Sequence, residues 1–324
     1  MAETNDASPP PGNAAAGAFA DAVVERVRAL GHPLCVGVDP HLARIPELFG
    51  GGALRAADPA TADAVERFCL AFVDLLEGRT AIVKPQSAFF EQLGWRGVQV
   101  LEKVVARARD LGLMVLLDAK RGDIGSTAAG YAQASLASDA PCPVDALTVN
   151  PYLGFDTVEA FTKVADAAGR GLFVLVKTSN PGSGDLQDRV LEGGGGAGEE
   201  RVFEAVARGL APLAGRMTGA ATGWSSLGVV VGATYPEQAD HVRRLLPHSL
   251  FLVPGYGSQG GSASDAVRSF VPGPAGLEGG LVNSARGISF PEGAAMATTA
   301  KAWEAAIARA LDVATTELGE AVSR

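Results

Sequence analysis

Cysteine is scarce in this chain. The three present, Cys35, Cys69 and Cys142, are odd in number, unspaced and set in apolar segments, so they read as reduced thiols rather than a disulfide frame. Histidine is nearly as rare: His32, His41, His241 and His248 form no HExxH or comparable ligand spacing, and no metal is expected. No apolar stretch approaches the roughly 18 residues needed to cross a bilayer. The N-terminus lacks both the cationic start and the apolar segment of a secretion signal. A cytoplasmic protein with no membrane partner is the expectation. Basic charge is also in deficit, with 27 Lys and Arg against 36 Asp and Glu, a formal net charge of −9 and a pI near 5.0. That balance argues against nucleic acid as the main partner. An anionic small substrate stays compatible, because a local cationic pocket can form on an acidic protein.

What the chain has is length and rhythm. Its 324 residues, 47% apolar and 19% charged, suit one barrel of about 250 residues with a tail and insertions. Residues 1–16 read as a disordered tail ahead of a single domain over 17–324. Apolar runs suited to buried parallel strands fall at 34–39, 81–85, 115–120, 145–150, 172–177, 227–233, 250–255 and 280–285. Helical stripes lie between them, such as Val65, Phe68, Phe72 and Leu75, or Val98, Leu101, Val104, Ala108 and Leu111. Val23, Val27 and Leu30 open the series, and Trp303, Ile307 and Leu311 close it. Eight strand–helix units predict an α/β fold of the (β/α)8 TIM barrel type. Segments 41–60 and 182–200 break the rhythm as insertions, and the glycine run at 193–196 reads as a flexible linker.

The charged residues of interest follow the third run. Met114 to Leu117 lead into Asp118, Ala119, Lys120, Arg121, Gly122 and Asp123. Strand alternation points Asp118 and Lys120 the same way, with Asp123 near enough to turn back on the lysine. An ion pair capping a strand is the plain alternative, and an Arg-Gly-Asp adhesion signal does not suit the mouth of a buried strand. In a barrel, the C-terminal strand ends converge on one face. Those ends hold Asp39, Lys84, Asp118, Lys120, Asn150, Lys177 and, just beyond, Ser179. Residues 255–260 satisfy GxGxxG, but they follow the seventh strand and have no acid ending the next, so a dinucleotide site is disfavoured. A glycine-rich loop there, with Arg286 and Gly287 after the eighth strand, instead matches the phosphate site common in barrels.

These motifs, in this order from about residue 19 to about 315, resemble orotidine 5′-phosphate decarboxylase, in its longer bacterial subgroup. The matching segments are Val38-Asp39-Pro40, Val83-Lys84-Pro85, the Asp118-x-Lys120-x-x-Asp123 run, Ser179-Asn180-Pro181-Gly182, Pro254 to Gly261, and Ala285-Arg286-Gly287. The resemblance implies cofactor-free, metal-free removal of CO2 from C6 of orotidine 5′-phosphate to give UMP. It implies Lys120 as proton donor, kept charged by its aspartate neighbours, with Asp118, Asp123 and Lys84 completing the catalytic charges. Asp39 and Lys84 are expected at the ribose, Ser179 at the pyrimidine, Gln259 between base and phosphate, and Arg286 with Gly287 at the phosphate. Asp123 and Thr127 are expected to complete the neighbouring subunit's site, which implies a homodimer. The rival readings are a Mg-dependent sugar-phosphate decarboxylase or aldolase barrel, which would need an acid where Lys84 stands, and a non-catalytic phosphometabolite-binding barrel.

Overall fold

The computed structural model describes residues 18–192, 199–257 and 261–324. The expected tail at 1–16, the linker at 193–196 and Gln259 lie outside the described residues. Eight parallel strands close into a barrel: β1 (Leu34–Val38), β2 (Ile82–Pro85), β3 (Met114–Arg121), β4 (Ala146–Val149), β5 (Gly171–Lys177), β6 (Ser225–Val231), β7 (Ser249–Val253) and β8 (Gly280–Ser284). Each pairs with its sequence neighbours, and β1 meets both β2 and β8. Every residue of β1, β4, β6 and β7 is buried, which is why their sequences run apolar without alternation.

Helices α1 (Ala18–Leu30), α2 (Pro59–Asp74), α3 (Trp95–Asp110), α4 (Gly125–Ser135), α5 (Phe155–Ala167), α6 (Val202–Arg216), α7 (Pro236–Leu245) and α8 (Ala300–Val322) complete the frame. Two expectations change here. After β7 there is no full helix among the described residues, only the short Ala263–Ala266 turn and a hairpin of Val271–Gly273 with Gly276–Glu278. And Val98 is 40% exposed, because the buried stripe of α3 runs through Gly97, Val100, Leu101, Val104 and Ala108 instead. Segment 41–60 holds two short 3-10 turns, whose Phe49 ring packs against Phe68 and Trp303.

Helix α1 precedes the first strand and seals the barrel's lower end. Its Phe19, Val23 and Val24 join the inward layer of Cys35, Ile82, Leu116, Phe173 and Leu250. Phe19 meets Phe173 edge-on at 6.1 Å. A Cβ on Gly171 would lie 2.2 Å from the Phe19 ring, so only glycine admits that ring. Polar bonds fix the helix in place: Ala20 N–H donates to Ser226 Oγ, Thr222 N–H and Oγ1 donate to Asp21, and Arg28 grips Glu278 through two bonds of 2.8 Å. With this end closed, the strands' C-terminal ends form the open mouth. Replacing Phe19 by Ala should cost about 3–5 kcal/mol of unfolding free energy in urea. A loss below about 1 kcal/mol would mean that α1 does not seal the barrel.

Candidate active site

The mouth is built around one carboxylate. Asp118, on β3, has a side chain 8% exposed and accepts on both oxygens. Oδ2 takes Lys84 Nζ at 2.6 Å and Gln86 Nε2 at 3.1 Å; Oδ1 takes Lys120 Nζ at 2.5 Å and Thr148 Oγ1 at 3.0 Å. These four bonds use the full acceptor capacity of an ionised carboxylate. Burial pushes the Asp118 pKa up, but Lys84 and then Lys120 outweigh it and leave it well below the usual carboxylate range. Burial would lower the Lys84 ammonium in turn; Asp118 and Asp39 reverse that and hold it above its ordinary value. Asp39, just past β1, is raised first by burial, with Lys84 opposing and Asp118 adding to the rise. Its Oδ1 is buried without a hydrogen-bond partner among the described residues. The order Asp39, Lys84, Asp118, Lys120 therefore alternates in sign.

Lys120 reaches Asp118 by a local irregularity. The β3–β4 register shifts between Leu117 and Arg121, and Lys120 has φ +47, alone among the described non-glycine residues in the positive-φ region. Such a backbone costs about 1–2 kcal/mol. Thr148 of β4 sustains it: its Oγ1 accepts from Ala119 N–H at 3.0 Å and Lys120 N–H at 2.8 Å while donating to Asp118. Strand alternation therefore anticipates the shared direction of Asp118 and Lys120, while a bulge and one hydroxyl produce it. Thr148, Gln86 and Asn283, whose buried Oδ1 is also unpartnered, have no place in the sequence-derived site. Threonine in a strand ordinarily signals only β-propensity. The available sign was its parity with inward-facing Ala146.

A cavity of about 410 Å³ opens above this group, lined by Lys84, Asp118, Lys120, Thr148, Ser179 and Asn283, with Leu175, Val230 and Leu252 as an apolar floor. Its size lies within the usual range for small-molecule sites. Asp123 does not turn back on Lys120. Its carboxylate accepts from Ile124 N–H at 2.8 Å, directed there as the chain enters α4, and neither Asp123 nor Thr127 lines this cavity in its own chain. Arg286 follows β8, close enough to His41 to lower its pKa, after burial, the chief cause, and Arg44. Gly287 lines a neighbouring cavity with Tyr256 and Gly257. Asn150 stands at the rim, where its Oδ1 accepts from Tyr152 N–H. Lys177 departs from the expected convergence. The β5–β6 register shifts between Leu175 and Lys177, and the wholly buried ammonium pairs with Asp188 at 2.7 Å beneath the Tyr235 ring. It anchors the loop after β5, whose Gln187 exchanges two bonds with Thr178 at the cavity wall.

A sequence model of the orotidine 5′-phosphate decarboxylase / HUMPS family matches residues 32–298. The chain belongs to this family. An orotidine 5′-phosphate decarboxylase of Rhodopirellula baltica is 43% identical over 276 residues, covering 84% of this chain and 88% of its own. One from Deinococcus radiodurans is 42% identical over 279 residues, covering 85% and 90%. Among solved structures, an assigned orotidine 5′-phosphate decarboxylase from Streptomyces avermitilis superposes with a TM-score of 0.78 at 34% identity, over 98% of this chain and all of the other. The Leishmania donovani OMP decarboxylase gives 0.65 at 30% identity, over 92% and 98%. No described helix is long and apolar enough to cross a membrane.

Within the decarboxylase fold, the Thr148 hydroxyl is a neutral group beside the charges that accepts from two backbone N–H groups at once. Thr148→Val keeps shape but strands two backbone N–H groups, and should lower stability by about 2–4 kcal/mol, whereas Thr148→Ser should retain most of it. Equal denaturant midpoints for the Val and Ser variants would show that the bulge holds without the hydroxyl.

Proposed function

We propose that this protein is an orotidine 5′-phosphate decarboxylase, acting in the cytoplasm as a homodimer without metal or organic cofactor, its catalysis carried by one barrel over 17–324. The observation that carries this is Lys84: at the end of β2, its ammonium lies 2.6 Å from Asp118 in a nearly closed setting. A Mg-dependent sugar-phosphate enzyme in the same family would need a metal-binding acid at that point, and a fixed ammonium there repels a divalent cation. A phosphometabolite binder has no need of two lysines sharing one buried carboxylate.

In this reading the substrate lies with C6 of the pyrimidine beside Lys120 and its carboxylate toward Asp118. The C6–carboxylate bond breaks, its electron pair stays on C6, CO2 leaves, and a proton passes from Lys120 Nζ to C6 to give UMP. Solvent reprotonates the lysine. With no covalent electron sink, the developing carbanion is stabilised by a cation already oriented by Asp118 and by its strained backbone, so little reorganisation is needed as charge develops. The ribose hydroxyls give Asp39 Oδ1 the donor it lacks, with Lys84 on its other side. Ser179 reads the pyrimidine edge, Gln259 spans base and phosphate, and Arg286 with Gly287 holds the phosphate. Asp123 and Thr127, which do not line the cavity of their own chain, complete the ribose site of the partner subunit.

Two experiments bear on this. Purified protein should convert orotidine 5′-phosphate to UMP, followed by loss of pyrimidine absorbance, at the same rate before and after EDTA. A rate that collapses and returns with Mg²⁺ would favour the sugar-phosphate branch. Separately, Lys120→Ala and Asp123→Ala should each lower turnover by about a hundredfold or more. Co-refolding the two variants should then regenerate one intact pocket per mixed dimer, giving roughly half the native activity of each such dimer under two-fold symmetry. Confirmed subunit exchange without recovery would place both residues in one subunit's site.

A further inference from the structure

Among its described residues, the glycine loop after β7 is tied to the rest of the protein by a backbone bond, Ala233 N–H to Pro254 O at 3.0 Å, and by the side chain of Tyr256. Tyr256 stands between Gly255 at φ +106 and Gly257 at φ +71, two positions in the region that favours glycine. The loop's described ends bond to each other, Gly261 N–H donating to Gly255 O and Gly257 N–H to Gly261 O. Tyr256 leaves this circuit: 7% exposed, it extends to α8, where its hydroxyl donates to Glu317 Oε2 at 2.6 Å. A cavity of about 370 Å³ lies alongside, bounded by Tyr256, Gly257 and Gly287 on one side and Ala310, Ala314 and Glu317 of α8 on the other. The ring packs in the main hydrophobic cluster with this cavity on one side, and the hydrogen bond fixes its hydroxyl against α8. Burial first, then Glu317, raises the phenol above its ordinary value, so it remains a donor through the neutral range.

We propose that Tyr256 and Glu317 are positioning residues for the substrate phosphate: their hydrogen bond lets the C-terminal helix set where the glycine loop stands relative to Arg286. Neither touches the reacting atoms. The inference rests on the decarboxylase reading, which supplies a phosphorylated nucleotide. Because the cavity reaches Gly257 and Gly287 together, a shift of the Tyr256 ring moves one flank of the phosphate site against the other. A merely structural contact would affect every ligand of the mouth alike, whereas a positioning contact affects only those that carry the phosphate.

The test compares UMP with uridine, and uses Tyr256→Phe, Glu317→Leu and the double variant in the full chain. Calorimetric affinity for UMP should fall about tenfold in each, the equivalent of one charge-assisted hydrogen bond. Affinity for uridine should hold, and the double variant should be no weaker than either single, because the two side chains act as one contact. Glu317→Gln, which keeps an acceptor, should recover most of the loss. With orotidine 5′-phosphate, KM should rise far more than kcat falls. Equal losses for UMP and uridine, or unchanged UMP affinity, would overturn the proposal. Turnover by the unaltered chain tests the decarboxylase reading on its own, and the UMP–uridine comparison stands whatever that turnover is.

Discussion

Burying a carboxylate is costly unless its oxygens are fully engaged, and the barrel mouth is organised to engage those of Asp118. An isolated ion at that depth would cost several kcal/mol after relaxation. Two ammoniums, an amide and a hydroxyl offset this. Removing either lysine leaves charge uncompensated, so neither partner varies independently. The two lysines are nevertheless unequal: Lys84 is 5% exposed and Lys120 is 44% exposed. The first is a fixed counter-charge, while the second has an open side from which to approach a substrate. Linkage follows from the directions of the shifts. Asp118, with a depressed pKa, stabilises the fold above its unfolded-state value near 4 and loses that contribution as pH falls through its lower folded value. Lys84, with a raised pKa, contributes fully below about 10.4 and loses its part only at higher pH. Between those limits both groups stay charged, which includes the neutral range where the mouth must work.

The opposite end of the barrel has the complementary task. There Phe19 fills the space left by Gly171, and Arg243 is buried, donating to the carbonyl oxygens of Ser269, Leu246, Pro247, Ser249 and Gly279 while lying 3.8 Å from the centre of the Phe251 ring. With no carboxylate in that set of bonds, burial lowers its pKa to about 9. This clamp ties the chain after α7 to the loops before β7 and β8 without adding net acid. The open end, by contrast, holds a strained lysine and polar atoms without a partner among the described residues, Asp39 Oδ1 and Asn283 Oδ1.

Much of this was legible from residue order, and the exceptions share a cause. Strands buried on both faces leave an unbroken apolar signature, so all eight appear in the sequence within a few residues of their observed bounds. Charged residues that end such strands are equally visible, as Lys84, Asp118 and Lys120 show. What alternation cannot convey is where a ladder slips. At β3 the slip, with a positive φ, still delivers Lys120 to the mouth; at β5 a similar slip turns Lys177 outward to Asp188. Thr148 was hidden because its importance lies in the neighbouring strand's irregularity, and Gln86 because it follows the strand that presents it. The short element after β7 escaped because loops and hairpins carry no helical period. Asp123 shows a different limit: its local carboxylate-to-Ile124 bond competes with the long reach across to Lys120.

The position of Lys84 also bears on how one barrel serves two chemistries. A divalent metal and a lysine can each present positive charge at the end of β2, but they impose different demands. A metal needs a ring of anionic or neutral oxygen donors and leaves open coordination for substrate oxygens. An ammonium instead bonds one oxygen of Asp118 while a second cation, Lys120, takes the other, and in the reading proposed above that second cation faces the carbon that becomes a carbanion. Carbanion protonation benefits from an acidic proton on that cation, which a metal ion does not carry. In the reading proposed above, a lysine rather than an acid at the end of β2 therefore suits protonation of a substrate carbon rather than polarisation of a substrate oxygen.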